Sequence, residues 1–274
     1  MTTKTGRILV TGGGQGLGLA VARAWARRGW RVAVADIEAA KAETAAAEID
    51  SLGGLGLPLL MDVTDDEAVT AAADRLAAEW GGLDILVNNA GVGSAGTVER
   101  TTMDVWEWTL GVNVLGVARV SRTFLPMLTA RTGHVINIAS AAGFVSAPGM
   151  AAYNASKAAV ISISESLRTD LAGRGIGVTV VCPSFFRTNL LESFRGPEAA
   201  RGIAERAMSR SALSADDIAE EIHAAVARRR FLLAPHAESR RLLSLKRFAP
   251  EWYFRLLEKR SARFLAAQTT TSET

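Results

Sequence analysis

The sequence predicts a doubly wound parallel α/β sheet of about seven strands, covered by helices on both faces and followed by a helical extension. Three observations predict it. Apolar runs of strand length alternate with longer helical patterns along most of the chain. Those runs are continuously apolar, as strands buried on both faces are. A glycine-rich turn, Gly12 to Gly18, stands between the first run and the first helical pattern. The bulk figures agree: 274 residues, 49% hydrophobic and 22% charged, with 25 Gly and 7 Pro, exclude a disordered or collagen-like chain.

Residues 7–11 read as the first strand, and 16–28 as a helix ending before Gly29. A second strand covers 31–35 and ends at Asp36. An alanine-rich helix follows over 39–51, then a weak strand over 56–60 ending at Asp62. Asp65 and Asp66 suit the first turn of a helix running to Trp80, because carboxylates complement the positive helix end. Residues 84–87 form the fourth strand, and a long helix over 102–128 is expected to bend near Gly111 or Gly116. Within it Trp106 and Trp108 point to different faces. Strand 133–139, helix 152–172 and strand 176–182 come next, then irregular or short helical chain over 184–212. A helix from Asp216 to about 228 and a strand over 231–234 close the sheet. Residues 1–235 read as one domain and 236–274 as a separate basic helical extension, in which Pro250 divides two helices and the last residues are mobile.

Net charge is +3, but it is uneven: residues 228–265 carry 11 basic and 3 acidic side chains, and the rest of the chain is acidic. That balance argues against nucleic-acid binding. The single cysteine, Cys182, cannot form an internal disulfide, which fits a reducing, cytoplasmic compartment. It reads as a buried structural residue at a strand end. No signal peptide or membrane-spanning segment is expected. His134, His223 and His236 have no metal-ligand spacing, so no metal is expected.

Glycines after a first strand let backbone approach a pyrophosphate, and the helix that follows offers free N–H groups. Asp36 lies 20 residues after Gly16, where a carboxylate can accept both ribose hydroxyls and repel a 2′-phosphate. Neither Ile37 nor Gln15 is a cation that could hold that phosphate. The expected cofactor is therefore NAD rather than NADP. Tyr153 and Lys157 share one helix face at i and i+4, so the ammonium is expected to lower the phenol pKa from about 10 toward neutrality. Ser140 ends the fifth strand, where open parallel sheets bind ligands.

Along residues 5–234 the chain resembles the short-chain dehydrogenase/reductase family, whose fold is Rossmann-type. The matching motifs are Thr11 to Gly18, Asn88-Asn89-Ala90-Gly91, Asn113, and Tyr153-Asn154-Ala155-Ser156-Lys157, with Ser140 placed 13 residues before Tyr153 and Asp62-Val63 in the position that contacts adenine. The resemblance implies that Tyr153 exchanges a proton with the substrate oxygen and Ser140 polarises that oxygen. Lys157 would lower the phenol pKa and bind the nicotinamide ribose, and Asn113 would hold a water that links Lys157 to solvent. Gly12, Gln15, Gly16, Leu17 and Gly18 would wrap the pyrophosphate, with Asn89, Ala90 and Gly91 at the adenosine ribose. Pro183, the Phe186 backbone and the Thr188 hydroxyl would meet the nicotinamide side. One departure stands out: Pro183-Ser184 replaces the family's usual Pro-Gly. Serine disfavours the positive φ that glycine allows, so the loop is expected to take another path or to turn Ser184 toward the substrate.

The resemblance implies hydride transfer between NAD and a secondary alcohol or ketone; the alternative is an NAD sensor or scaffold without turnover. Family members are usually homodimers or homotetramers. Candidate substrate walls are 93–96, 141–150 and 184–212, apolar enough to favour a lipophilic substrate, with Arg187 and Arg195 available for a carboxylate. Residues 238–265 interleave cations with Leu, Phe, Trp and Tyr. That composition fits packing or an oligomer contact, peripheral contact with an anionic membrane, or a lid over the pocket.

Overall fold

The computed structural model describes residues 6–130 and 132–269, with the side chains of 260 and 262–269 outside that description. Arg260, Arg263, Phe264, Leu265 and the terminal run 270–274 therefore lie outside the described side chains. Seven parallel strands form one sheet in the order β3-β2-β1-β4-β5-β6-β7. They are β1 Arg7–Thr11, β2 Arg31–Asp36, β3 Leu55–Leu60, β4 Ile85–Asn88, β5 His134–Ile138, β6 Gly177–Val181 and β7 Leu232–Leu233. The order reverses between β1 and β4, so the chain leaves these neighbours in opposite directions and opens a crevice beyond Thr11 and Asn88.

Side chains alternate between two cores, as strand geometry requires. From β1, Ile8 and Val10 enter one core and Leu9 enters the other. The first core is closed by α1 (Gly16–Ala26), α2 (Ala39–Ser51) and α9 (Ala215–Ala227), with Trp25, Ile49, Ile218 and Ile222 buried in it. Trp25 packs edge-on against Trp30 at 6.4 Å and His223 at 5.1 Å. The second face carries α3 (Asp66–Trp80), α5 (Gly116–Phe124) and α7 (Ala151–Asp170). Asp65 caps α3 by accepting from the Glu67 and Ala68 N–H groups, and Gly81 ends it in a left-handed turn.

The helix expected over 102–128 is divided as α4 (Met103–Leu110), a π-helical turn Gly111–Leu115, and α5. Instead of a simple bend, the chain widens by one residue between the two glycines, and Asn113 turns into the protein with no exposure. A short helix, α6 (Ala142–Val145), follows β5. The stretch 184–212 is more ordered than its sequence suggests: after a 3₁₀ turn at Asn189–Leu191 it forms a twelve-residue helix, α8 (Glu198–Ser209). The C-terminal extension is a helical hairpin, α10 (Ala237–Phe248) and α11 (Pro250–Thr269), turning at Ala249-Pro250. It folds back on the body: α10 packs on α6, the Lys246 Nζ donates to the Phe144 carbonyl at 2.7 Å, and the Tyr253 hydroxyl donates to the Val145 carbonyl. Among the described residues no helix is long and apolar enough to cross a membrane.

Candidate active site

Strand ends set the site. Thr11 closes β1, and its hydroxyl accepts from the Asn89 and Ala90 N–H groups at 3.0 Å each. The Asn89 amide in turn donates to the Thr11 and Gly12 carbonyls at 2.9 Å each. The loop after β4 thus clamps the glycine loop after β1. Gly16 needs its glycine for a left-handed φ of 56°, and a Cβ on Gly18 would lie 2.2 Å from the Gly12 carbonyl oxygen. The N-terminal end of α1 can therefore come close to the loop and aim its free N–H groups into the crevice.

A cleft of about 850 Å³ runs along these strand ends. Every residue expected to bind the cofactor or take part in catalysis lines it except Gly18 and Asn113. Asp36 stands at one end of the cleft beside the glycine loop, its Oδ2 accepting from the Gly14 N–H at 3.0 Å and its Oδ1 from the Glu38 N–H at 3.2 Å. Asp62 accepts from the Thr64 N–H and hydroxyl, which fixes the turn that carries Val63. At the other end are Ser140, Tyr153 and Lys157. Tyr153 and Lys157 are 7% and 4% exposed, so both titratable groups lie away from bulk water.

The electrostatics of this trio differ from the sequence expectation. Burial pushes the Tyr153 phenol up to about 12, with the Ser140 hydrogen bond acting in the opposite sense. Burial also holds the Lys157 ammonium down to about 8. Lys157 Nζ donates to the Ile138 carbonyl at 3.0 Å and lies 5.8 Å from the Tyr153 ring centre. Desolvation dominates, and in this arrangement it favours the neutral phenol. Cys182, at the end of β6, is fully buried and its thiol is pushed up to about 12 by burial, in keeping with a structural residue.

Asn113 uses its whole side chain inside the protein. Its Oδ1 accepts from the Val92 N–H at 2.8 Å, while Nδ2 donates to the Val92 carbonyl and the Ser156 hydroxyl at 3.0 Å each. Ser156 donates to the Tyr153 carbonyl, so the π turn is tied to the helix that carries Tyr153 and Lys157. The Asn113 amide is therefore engaged by Val92 and Ser156 on both of its polar atoms. A buried ladder continues behind the site, from Asn88 Nδ2 to Asn137 Oδ1 at 2.8 Å and from Asn137 Nδ2 to the Ser164 hydroxyl at 2.9 Å.

Ser184 does not have a positive φ, so serine is accommodated without strain where the family commonly has glycine. Its N–H donates to His236 Nδ1 at 3.1 Å, which ties the segment after β6 to the start of the C-terminal extension. The loop that follows folds down on the glycine loop: a methyl group at Gly16 would lie 3.0 Å from Thr188 Oγ1. Glu192 completes that closure by accepting from Gln15 Nε2 at 3.1 Å and pairing with Lys41 at 3.5 Å. Lys41 also pairs with Glu38 at 2.6 Å. Glu192 and His236 had no local signal, because each meets its partners through long-range contacts.

The substrate end is apolar. Trp108, Val145, Met150, Phe194 and Met208 line it together with Leu242 and Leu257 from the C-terminal hairpin. Arg187 and Arg195, expected as carboxylate partners, do not line the cleft. Arg195 instead stacks on the Trp108 ring at 4.1 Å, and Arg187 is exposed near the Ser209 carbonyl. No cluster of metal-ligating side chains occurs among the described residues.

This fold and crevice define an α/β dinucleotide-binding protein of the Rossmann type. Residues 6–199 match the family model described as short chain dehydrogenase, and the chain belongs to that family. It is 34% identical over 255 residues to the probable oxidoreductase EphD of Mycobacterium tuberculosis, a match covering 89% of this chain and 43% of that protein. The chain thus spans less than half the length of that curated relative. Its structure is similar to a short chain dehydrogenase/reductase from Burkholderia phymatum in complex with NAD, with a TM-score of 0.84, 31% identity, and coverage of 92% of this chain and 96% of that one. It is also similar to a short chain dehydrogenase from Burkholderia cenocepacia in complex with NADP, with a TM-score of 0.72, 36% identity, and coverage of 84% and 95%.

Proposed function

We propose that the protein is an NAD-dependent oxidoreductase that interconverts a lipophilic secondary alcohol and its ketone. The observation that carries this reading is the arrangement of one cleft: Ser140, Tyr153 and Lys157 at an apolar end and Asp36 beside the glycine loop at the other. The cleft lies within the roughly 300–1,000 Å³ typical of small-molecule sites.

The residues fit a dinucleotide. Gly12, Gln15, Gly16 and Leu17 would hold the pyrophosphate with backbone N–H groups, Asp36 the adenosine ribose, and Lys157 the nicotinamide ribose. Bound NAD supplies the hydride acceptor or, when reduced, the hydride donor. Ser140 donates a hydrogen bond to the substrate oxygen and holds it beside Tyr153. In ketone reduction the neutral Tyr153 phenol gives its proton to that oxygen as the C–H bond forms. In alcohol oxidation Tyr153 must first be a phenolate, which then takes the hydroxyl proton as the C–H bond breaks. The Lys157 ammonium favours that phenolate.

Asp36 supports NAD over NADP, since a 2′-phosphate would approach its carboxylate. Lys41 is also near the cleft, but Glu38 and Glu192 already engage its charge. The same reading makes residues 1–235 the cofactor and catalytic unit and 236–274 the part that completes the substrate side. It places the protein in the cytoplasm as a homodimer or homotetramer, with peripheral membrane contact through 238–265.

The test follows absorbance at the reduced-nicotinamide band with NAD⁺ and, separately, NADP⁺, across steroid, terpene, aliphatic and aryl secondary alcohols. Turnover with NAD⁺ on the lipophilic members is expected. Turnover only with NADP⁺, or NAD⁺ binding with no turnover on any alcohol or matching ketone, would overturn the reading.

A further inference from the structure

The two faces of the C-terminal hairpin have opposite character. Its inner face is part of the active-site architecture. Leu242 and Leu257 line the cleft, and Tyr253 is fully buried between them and α6. Its outer face carries Phe248 at 80% and Trp252 at 69% exposure. Both are among the most exposed large apolar side chains of the described residues, and they flank the turn at Pro250.

Each of the two most exposed rings has an arginine beside it. The Arg247 guanidinium is 5.7 Å from the Phe248 ring centre, and that of Arg255 is 5.9 Å from Trp252. None of the ion pairs among the described residues involves Arg247, Arg255 or Lys259. Residues 240–259 hold 6 basic side chains and 2 acidic ones. Aromatic rings beside cations with no carboxylate partner form a surface for an anionic interface: the rings enter the headgroup boundary and the cations meet the phosphates. A two-fold contact through this face would instead bring like charges together.

We propose that the outer face of the α10–α11 hairpin seats the protein on an anionic lipid surface, with Phe248 and Trp252 at the apolar boundary and Arg247 and Arg255 at the headgroups. The opposite face of the same hairpin walls the substrate pocket, so the pocket lies directly behind the lipid contact. The seat deepens the reading of a lipophilic substrate and rests on that reading for its purpose. A bilayer-partitioned alcohol or ketone would meet the enzyme at the hairpin. Movement of the hairpin would also reach Ser140, because Lys246 and Tyr253 hold α6, which begins two residues after it.

The full chain is tested by flotation with vesicles of equal phosphatidylglycerol and phosphatidylcholine, and with pure phosphatidylcholine. Binding to the anionic vesicles is expected, with loss of most binding in high salt. Charge reversal in R247E/R255E should weaken binding by at least roughly thirtyfold, taking about one basic residue's worth of attraction for each site. F248S/W252S should weaken it comparably, and brominated lipid should quench a tryptophan signal that W252F lacks. Thermal unfolding and NAD⁺ binding of the variants should match the parent protein, since all four side chains are exposed and none lines the cleft. Absence of anionic-vesicle binding, or equal binding by F248S/W252S, would overturn the seat. A halved solution mass in F248S/W252S would overturn it too and make the face a contact between copies. Flotation does not depend on turnover: vesicle binding without any alcohol oxidation sinks the enzymatic reading and leaves the seat standing.

Discussion

The backbone N–H of Ser184 donates to His236 Nδ1 at 3.1 Å, joining the segment after β6 to the first residue before the C-terminal hairpin. The bond requires Nδ1 to be unprotonated. Burial keeps the His236 pKa below its usual 6.5, so the ring stays neutral and the bond persists into mildly acidic solution. His236→Phe removes the acceptor and leaves the Ser184 N–H without a partner. The expected result is a KM for NAD raised by roughly fivefold, from about 1 kcal/mol for one hydrogen bond, with kcat little changed. An unchanged KM with reduced kcat would mean that the bond does not position the cofactor segment.

Cofactor choice is predicted to depend on charge at two places. Asp36→Ala removes the carboxylate expected to accept both ribose hydroxyls, and KM for NAD should rise on the order of ten- to a hundredfold. Discrimination against NADP should fall in the same variant. Adding Glu38→Gln removes the 2.6 Å partner of Lys41 and leaves it only the 3.5 Å contact with Glu192, so a 2′-phosphate can compete for that cation. The ratio of kcat/KM for the two cofactors measures this; a ratio unmoved by the double change would exclude Lys41 as a selectivity element.

Lys157 should destabilise the cofactor-free protein. Its pKa is about 8 in the folded chain against 10.5 for the free side chain, so folding disfavours the charged form. The Lys157 contribution is least unfavourable above pH 10.5, becomes more destabilising as pH drops through this window, and reaches its full cost below about 8. Lys157→Met should therefore be inactive yet more stable at pH 7, by up to about 3 kcal/mol for a shift from 10.5 to about 8. The gain should shrink toward zero between pH 8 and 10.5. Urea unfolding at pH 7 and pH 10.5 reads this directly, and a less stable variant at pH 7 would show that the bond to the Ile138 carbonyl outweighs the burial of charge.

The sheet was legible because its signals are local. Strand-length apolar runs, Asp65 before α3 and the glycines between β1 and α1 all act through neighbouring residues. The motif residues of the site could be named because the family spacing places them on strand ends and one helix face. Three things were not legible, for a common reason. Tyr153 and Lys157 are adjacent on α7, but the pKa of each is decided by burial under distant segments. The C-terminal hairpin left three roles open because its composition does not reveal which face packs; the contact of Tyr253 with Val145 spans 108 residues. The widening at Gly111–Leu115 arises where Gly116 comes against Val63, a contact no helical periodicity encodes.

The most direct test compares Tyr153→Phe with the parent protein in single-turnover reduction of a lipophilic ketone by NADH, with NADH binding measured separately by fluorescence. The ring stays and only the hydroxyl is lost, so packing at this 7% exposed residue should hold. The account predicts unchanged NADH binding and a hydride-transfer rate lower by about two to four orders of magnitude, the usual contribution of a positioned proton donor. Hydride transfer at close to the parent rate would contradict it, and would remove Tyr153 as the group that supplies the proton.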